Sequence, residues 1–415
     1  MTMPIHARSL AKLSVALFGL KIITFVSWFF YNWPSISISN YLSYPLALTG
    51  FAYVVFKFSK RKSSWELSSS LFLALILLSS IAISVVLQQL LATDSLIIDG
   101  LTPASVSLNY LLVGLTWFCL GAAMQGLDDQ DFGRNFFLIP ALVFVVCVAS
   151  SLSDGLILNY KSISDEKPSD LEISHLTIGS YAVVALLLPV AFSTRPYKFL
   201  AFAGGVLLFF CLGGRANLFV FILTCSVFYA SRLGLIKSTV LLSGSLIVLT
   251  LALLLLKIDL NDAQVQKMIF YDGFSEDQSE AARDLFFWGA LDGLPRQALY
   301  GDPGYLIEKF YSLGAYSHNL LSAWQFFGVA PFVLFAVSMF FISRKIFAYR
   351  FQLRSSLDEF GILLFVFCLI SIMFVKSINF FPFWMSLGFW FFRLDGLKFQ
   401  GLNRGFAGHV ENLQR

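Results

Sequence analysis

The sequence predicts an all-α, polytopic membrane helix bundle of about twelve transmembrane helices with one large outer loop, and three observations predict it. The first is composition: 57% of the 415 residues are hydrophobic and only 13% are charged, against about 25% charged in soluble domains. A mean hydropathy of +0.76 exceeds what one soluble core can enclose, so a bilayer must solvate most side chains, and backbone inside a bilayer has to satisfy its own hydrogen bonds. The second is a series of apolar runs close to the roughly 20 residues that cross a bilayer. The third is one long polar interruption, Lys257 to Ala315, 59 residues with ten acidic and five basic side chains.

The apolar runs fall at about 12–32, 41–58, 69–92, 108–127, 136–157, 173–194, 199–213, 215–231, 238–256, 316–342, 358–375 and 380–394. The pair at 199–213 and 215–231 is short and joined by Gly213-Gly214, so it reads either as two helices or as one broken helix. The first run is too long for a cleavable signal peptide and no small-residue cleavage site follows it, so it is expected to be a retained helix.

Charge fixes the orientation. With the N-terminus inside, 19 Lys and Arg residues fall on the inner side and nine on the outer side, with Lys21 inside the first span. That bias puts both termini in the cytoplasm and the long loop outside. The net charge of +4 then reflects topology, and a nucleic-acid partner is not expected. The five cysteines all fall inside expected spans without metal-ligand spacing, so neither a structural disulfide nor a metal site is expected. The whole chain, 1–415, reads as a single integral membrane domain, with 257–315 as a loop within it.

Long loops between spans are costly to order and tend to carry function. Within this one, Ser279 to Leu294 has helical spacing, with Ala281, Leu285, Trp288 and Leu291 or Asp292 on one stripe. A helix lying on the outer interface, its aromatics in lipid or packed on the bundle, fits that pattern. Pro295 stops it, Gly301-Asp302-Pro303-Gly304 reads as a turn, and the chain re-enters the membrane around Tyr316 to His318.

Three residues stand out for chemistry. His318 sits at a span edge between Ser317 and Asn319, which can orient an imidazole or a substrate hydroxyl; an imidazole titrating near pH 6.5 suits hydroxyl deprotonation. The bland alternative is an interfacial polar residue. Arg215 opens a span just after two glycines, where the backbone can approach a ligand and a helix N-terminus favours anions; its bland alternative is a snorkelling helix-end arginine. Arg283 lies on the loop helix between Glu280 and Asp284, where a weak surface ion pair is the simpler reading. Arg296 and Lys309 are candidates of the same kind as Arg283. Two guanidiniums with a helix N-terminus make a diphosphate clamp, because planar forks match phosphate oxygens. Asp292 or Asp302 could orient the histidine.

The order of these features resembles the bacterial O-antigen ligase and polymerase superfamily. The matching text is Gly213-Gly214-Arg215-Ala216-Asn217-Leu218, then Arg283 with Trp288, then Gly301 to Gly304, then Ser317-His318-Asn319-Leu320-Leu321-Ser322-Ala323-Trp324 with Gly328, within roughly residues 199–345. The resemblance implies a type C membrane glycosyltransferase of the bacterial inner membrane. Such an enzyme takes a glycan from undecaprenyl diphosphate on the periplasmic face, with inversion and with neither metal nor cofactor. It implies His318 as base or acceptor-activating group, Arg215 and Arg283 on the diphosphate, and Ser317, Asn319, Trp288 and Arg296 as substrate contacts. The partners implied are the undecaprenyl-diphosphate-linked glycan, a glycan or lipid A core acceptor, and a chain-length regulator.

The chain departs from the pattern at Gly214, where many members have Ser, and the His318–Gly328 interval is one residue shorter than in many ligases. The Leu-Ser-Ala-Trp continuation is closer to polymerases, so the expected activity is polymerisation of lipid-linked repeat units. An O-antigen ligase acting on lipid A core is the runner-up, and a lipid-linked glycan flippase or transporter is the rival of another class. A transporter should carry charged or broken helices near the midplane, whereas these spans, apart from Lys21, are almost free of charge.

Overall fold

A computed structural model describes residues 5–31, 38, 41–59, 68–91, 102–133, 138–150, 152, 157–158, 175–193, 195–233, 239, 243–244, 278–296, 298–310, 315–350 and 352–396. The described elements are α-helices: α1 Ile5–Tyr31, α2 Ser43–Ser59, α3 Ser69–Leu91, α4 Pro103–Met124, the single turn α5 Asp129–Phe132, α6 Leu138–Ser150, α7 His175–Phe192, α8 Arg195–Cys211, α9 Arg215–Leu233, α10 Gln278–Gly293, α11 Gly304–Phe310, α12 Leu321–Phe327, α13 Val329–Tyr349, α14 Ser356–Phe374 and α15 over 381–396. Five of them, α1, α3, α4, α13 and α14, are long and apolar enough to cross a membrane, and α6, α7 and α8 contain shorter apolar stretches. The chain is a multi-pass membrane protein by this measure. The expected span 238–256 lies almost wholly outside the described residues, as does 257–277 of the loop.

Two expectations are refined. The Gly213-Gly214 pair separates two helices, α8 and α9, and Gly213 takes φ 65, the left-handed conformation that stops a helix. The expected single span 316–342 is instead a non-helical turn, the short α12, and α13, because Gly328 adopts φ 88 and breaks the helix. An unbroken apolar run hides this break, since hydropathy does not report φ.

Helix starts follow local chemistry. Thr102 caps α4 in a reciprocal capping box with Ser105, and Pro103 occupies the first turn, where its missing N–H is not needed. Asp129 of α5 accepts from the backbone N–H groups of Ser356 (2.8 Å) and Leu357 (2.9 Å), capping α14 from across the bundle.

The core is aromatic and tightly packed. α1 packs on α2, α4 and α6; α7 packs on α6, α8 and α14; α14 also packs on α9. α15 runs against α4, where Gly388 and Gly121 face the Phe118 and Met385 carbonyls too closely to leave room for a Cβ. Trp384 and Trp390 on α15 are fully buried, and their indole N–H groups donate to the Ile378 carbonyl (2.7 Å) and the Gly361 carbonyl (3.0 Å).

The two ends of the bundle differ. At one end cations meet carboxylates: Arg8 pairs with Asp128 and Asp131, Lys12 with Asp131 (3.0 Å), Lys198 with Glu359, and Arg393 with Asp358 (2.7 Å). These four cations all belong to the set assigned to the inner side. At the other end α1 and α14 finish, α2, α4, α7 and α15 begin, and the turn carrying His318 meets the α14–α15 connection.

Candidate active site

The turn at 315–320 is held from inside. Asn319 Oδ1 accepts from the Ser317 hydroxyl (2.7 Å) and the Leu321 N–H (2.9 Å), a local turn in which a short polar side chain replaces a backbone acceptor. The Ser317 N–H donates to Gln325 Oε1 (3.0 Å). The Ser322 hydroxyl donates to the Asn319 carbonyl (2.7 Å) and accepts from the Ile378 N–H (2.8 Å). Ser322 therefore fastens the His318 turn to the α14–α15 connection, two residues from Lys376. Ser317, expected as a substrate contact, is fully buried. It and Asn319 are engaged in shaping the turn.

A second strand of chain braces α12. The Asp302 N–H donates to the Gln325 carbonyl (2.8 Å), and the Val329 N–H to the Ala298 carbonyl (3.0 Å). Gly301 (φ 78) lies against the Phe326–Phe327 backbone and Gly328 against the Leu299 carbonyl, each closer than a Cβ would allow. The two glycines that figured in the sequence pattern are thus the crossing point of two chain segments. Gln88 of α3 donates from Nε2 to the Tyr300 and Phe326 carbonyls and ties this crossing to the bundle.

α10 lies over the turn. Phe286 stacks on the His318 ring at 6.3 Å between centroids, and Tyr316 flanks the same ring at 4.7 Å. Residues three apart share a helix face, so Arg283 is on the face that carries Phe286. The packed face of α10 consists of Phe286, Gly289 and Ala290 against Leu306 and Phe310 of α11. Leu285 and Trp288 of the expected stripe face away from the bundle, 52% and 65% exposed, so they are not its packed face. Arg296 is exposed and lies over the Tyr305 ring, 5.7 Å from its centroid.

The two acidic residues considered as orienting groups have other partners. Asp302 Oδ1 caps α11 through the Gly304 (3.0 Å) and Tyr305 (3.1 Å) N–H groups. Asp292 pairs with Lys309 at 3.4 Å.

His318 opens onto a cavity of about 390 Å³ at the end of the bundle where α10 lies over the His318 turn. Its walls include Trp117, Tyr181, Tyr316, Phe380 and Phe381, and its polar lining includes Lys21, Ser43, Lys376 and Asn379. Among the described residues that line it, none carries a carboxylate. The Tyr316 hydroxyl hydrogen-bonds Asn379 and Ser377, and Tyr110 hydrogen-bonds Asn379 as well.

Electrostatics follow from this composition. Burial, then the positive charges of Arg283 and Lys376, push His318 from 6.5 down to about 4. Burial and the Arg283 charge push Lys376 down to about 8. Both shifts have the same cause: cations gathered in a poorly hydrated place penalise one another's charged forms. The imidazole is consequently neutral at ordinary pH, with a lone pair available.

Arg215 opens α9 and is partly buried. It is not among the cavity-lining residues, but its helix is adjacent: Asn217, in the first turn of α9, sits directly against Gly179, and the next two residues of α7, Ser180 and Tyr181, line the cavity. The structure therefore gathers His318, Arg283 and Lys376 at one place and sets the N-terminus of α9 one wall away.

Lys376 and Lys21 were not among the residues selected from sequence. The available signal was present for both: a lone lysine inside an apolar span, and a lone outer lysine between two strongly apolar helices, each against the topological bias. Neither a protein-family model nor a curated protein matches this chain.

Proposed function

We propose that this protein is a membrane glycosyltransferase that polymerises undecaprenyl-diphosphate-linked oligosaccharide repeat units of a surface polysaccharide on the periplasmic face of the bacterial inner membrane. The observation that carries the reading is the pairing of a neutral, half-buried histidine with a cavity whose described lining carries lysines and no carboxylate, inside an aromatic helix bundle. A prenyl diphosphate presents matching chemistry: two phosphates for the cations and a long apolar tail for the helices.

In the reaction, an acceptor hydroxyl oxygen attacks the anomeric carbon of the growing chain. The carbon–oxygen bond to the diphosphate breaks and its electron pair leaves with undecaprenyl diphosphate, while the hydroxyl proton passes to the imidazole of His318. Displacement from the opposite face inverts the anomeric centre. Negative charge grows on the leaving diphosphate, and fixed cations in a dry site stabilise it more than mobile water does. Arg283 supplies one such charge beside His318, and Arg215 a second from the start of α9.

The test is the lipopolysaccharide banding of a strain lacking the protein. Core bearing a single repeat supports a polymerase. Core alone, with lipid-linked polymer accumulating, would replace the polymerase with a ligase acting on lipid A core. Lipid-linked repeats trapped on the cytoplasmic side would replace both with a flippase.

A further inference from the structure

A base works only when its lone pair is aimed at the proton it takes. His318 stands in a turn, where a side chain keeps its rotamer freedom unless its neighbours remove it. Two rings flank its imidazole: Phe286 of α10 at 6.3 Å between centroids, and Tyr316 at 4.7 Å with the planes tilted by 44°. The two differ in what holds them. Phe286 rests on Phe310 in the small cluster that α10 forms with α11. Tyr316 packs on the main core and is held through ring and hydroxyl alike. Its ring meets that of the buried Phe326, which Tyr110 of α4 meets edge-on at 4.8 Å. Its hydroxyl hydrogen-bonds Asn379 and Ser377, and the Tyr110 hydroxyl reaches the same Asn379.

The connection that receives the Tyr316 hydroxyl is tied down in turn. The Ile378 N–H donates to the Ser322 hydroxyl (2.8 Å), the Ile378 carbonyl accepts from the Trp384 indole (2.7 Å), and the Ser377 hydroxyl donates to Asn379 Oδ1. Asn379 suits the centre of such a cluster, because an amide both donates and accepts. We propose that Tyr316 is a positioning residue for His318, and that Asn379 is the hub through which α4 and the α14–α15 connection set the direction of the imidazole. Tyr316 supplies the wall that belongs to the bundle, and Phe286 the one that belongs to the outer loop. This rests on the function proposed above for the reaction served, but not for the anchoring of the ring. Misplacing a reacting group by about 1 Å can cost on the order of 10²-fold in rate, so a hydroxyl away from the reacting atoms has leverage on turnover. Tyr110 is not among the cavity-lining residues, so its influence on the reaction has to pass through Asn379.

The test measures chain extension from a lipid-linked oligosaccharide by the full chain in nanodiscs, per mole of folded protein. Tyr316→Phe keeps the ring and removes the anchor. Its kcat should fall by about tenfold, with KM for the donor within about twofold of wild type. Tyr110→Phe should lower kcat in the same way from outside the cavity. The double variant should be at most about twofold slower than the slower single variant, because both act through Asn379, whereas independent contributions would multiply. A second readout needs no turnover: carbethoxylation of His318 by diethyl pyrocarbonate, followed by mass spectrometry on the peptide that contains it. Both single variants should react severalfold faster than wild type, because a loosened imidazole is reached more often.

Unchanged kcat and unchanged carbethoxylation in Tyr316→Phe would overturn the proposal. So would a higher donor KM with kcat retained, which would make Tyr316 a substrate contact. A lower melting temperature with kcat and carbethoxylation unchanged would reduce its hydroxyl to a structural element, and effects that multiply in the double variant would remove Asn379 as the hub. The proposal and the function above fail separately. A wild type that extends no chains removes the glycosyltransferase, and carbethoxylation still decides on the anchor: faster reaction in both variants upholds it, and equal rates overturn it. Extension that is lost in His318→Ala but indifferent to Tyr316→Phe leaves the enzyme without this positioning residue.

Discussion

His318 shows how far neighbours change what a side chain can do. From sequence alone its titration belongs near 6.5, and acid inhibition would be expected there. Burial and two adjacent cations move it to about 4. The sign follows: the neutral form is the base, so activity should fall only as pH drops through the lowered value. The acid limb of kcat/KM, which reports the free enzyme, should therefore lie near 4. The acid limb of kcat, which reports the complex, should lie higher, because the bound diphosphate opposes Arg283 and Lys376. A pH series of initial rates separates the two, and an acid limb of kcat/KM at 6.5 would contradict the half-buried, cation-flanked imidazole. Arg283→Ala has two consequences on this account. Turnover should drop by about 10²–10³, typical for a lost donor to developing charge, and the acid limb of kcat/KM should move upward. Arg283→Lys should restore only part of the rate, since a point charge does not reproduce a fork.

At the scale of elements, the apolar runs gave α2 to α4, α7 to α9, α14 and α15 to within about five residues, and missed the start of α1 and the end of α6 by seven, because lipid-facing and core-facing side chains are both apolar and hydropathy is all that a span requires. The loop helix at 278–293 was also legible from spacing. Its packed face was not, because Leu285, Phe286, Phe287 and Trp288 are consecutive and apolar all round; the contacts of Phe286 with His318 and of Gly289 and Ala290 with α11 identify the inward side. The break at Gly328 was hidden for a related reason: glycine inside an apolar run is compatible with a helix, and only a positive φ shows that it ends one. That break sets the geometry of the site. Gly328→Ala would bring a Cβ to 2.4 Å from the Leu299 carbonyl at a backbone angle that L-residues avoid, at a cost of about 1–3 kcal/mol. Ser322→Ala would leave the Ile378 N–H without its acceptor, about 1–3 kcal/mol for a buried donor, and would loosen the His318 turn from the Lys376 connection. Thermal unfolding in detergent should show both losses. An unchanged melting temperature for Gly328→Ala would mean that the crossing of 298–302 with α12 is not a constraint.

Over the whole molecule, charge is segregated. One end pairs its cations with Asp128, Asp131, Asp358 and Glu359, and at the other Lys21, His318 and Lys376 line a cavity near Arg283, with no carboxylate among the described lining residues. Counting basic residues put Arg8, Lys12, Lys198 and Arg393 on one side, and the structure pairs these four with carboxylates; the count treated Lys376 as one more charge of the other side, because a count is blind to burial. Reporter fusions near residue 60 and near residue 350 should read cytoplasmic and fusions within 257–315 periplasmic; a cytoplasmic signal from the loop would invert the bundle and place the cavity on the wrong side for a periplasmic donor.

The central claim is that a neutral histidine beside fixed cations transfers a glycan from a prenyl diphosphate. It is tested most directly by incubating the purified protein with a lipid-linked oligosaccharide and following chain extension for wild type and His318→Ala, each with and without a chelator. The account predicts extension by the wild type that is indifferent to the chelator, and none by His318→Ala although it still binds the donor. Extension by His318→Ala, or extension abolished by the chelator, would contradict it.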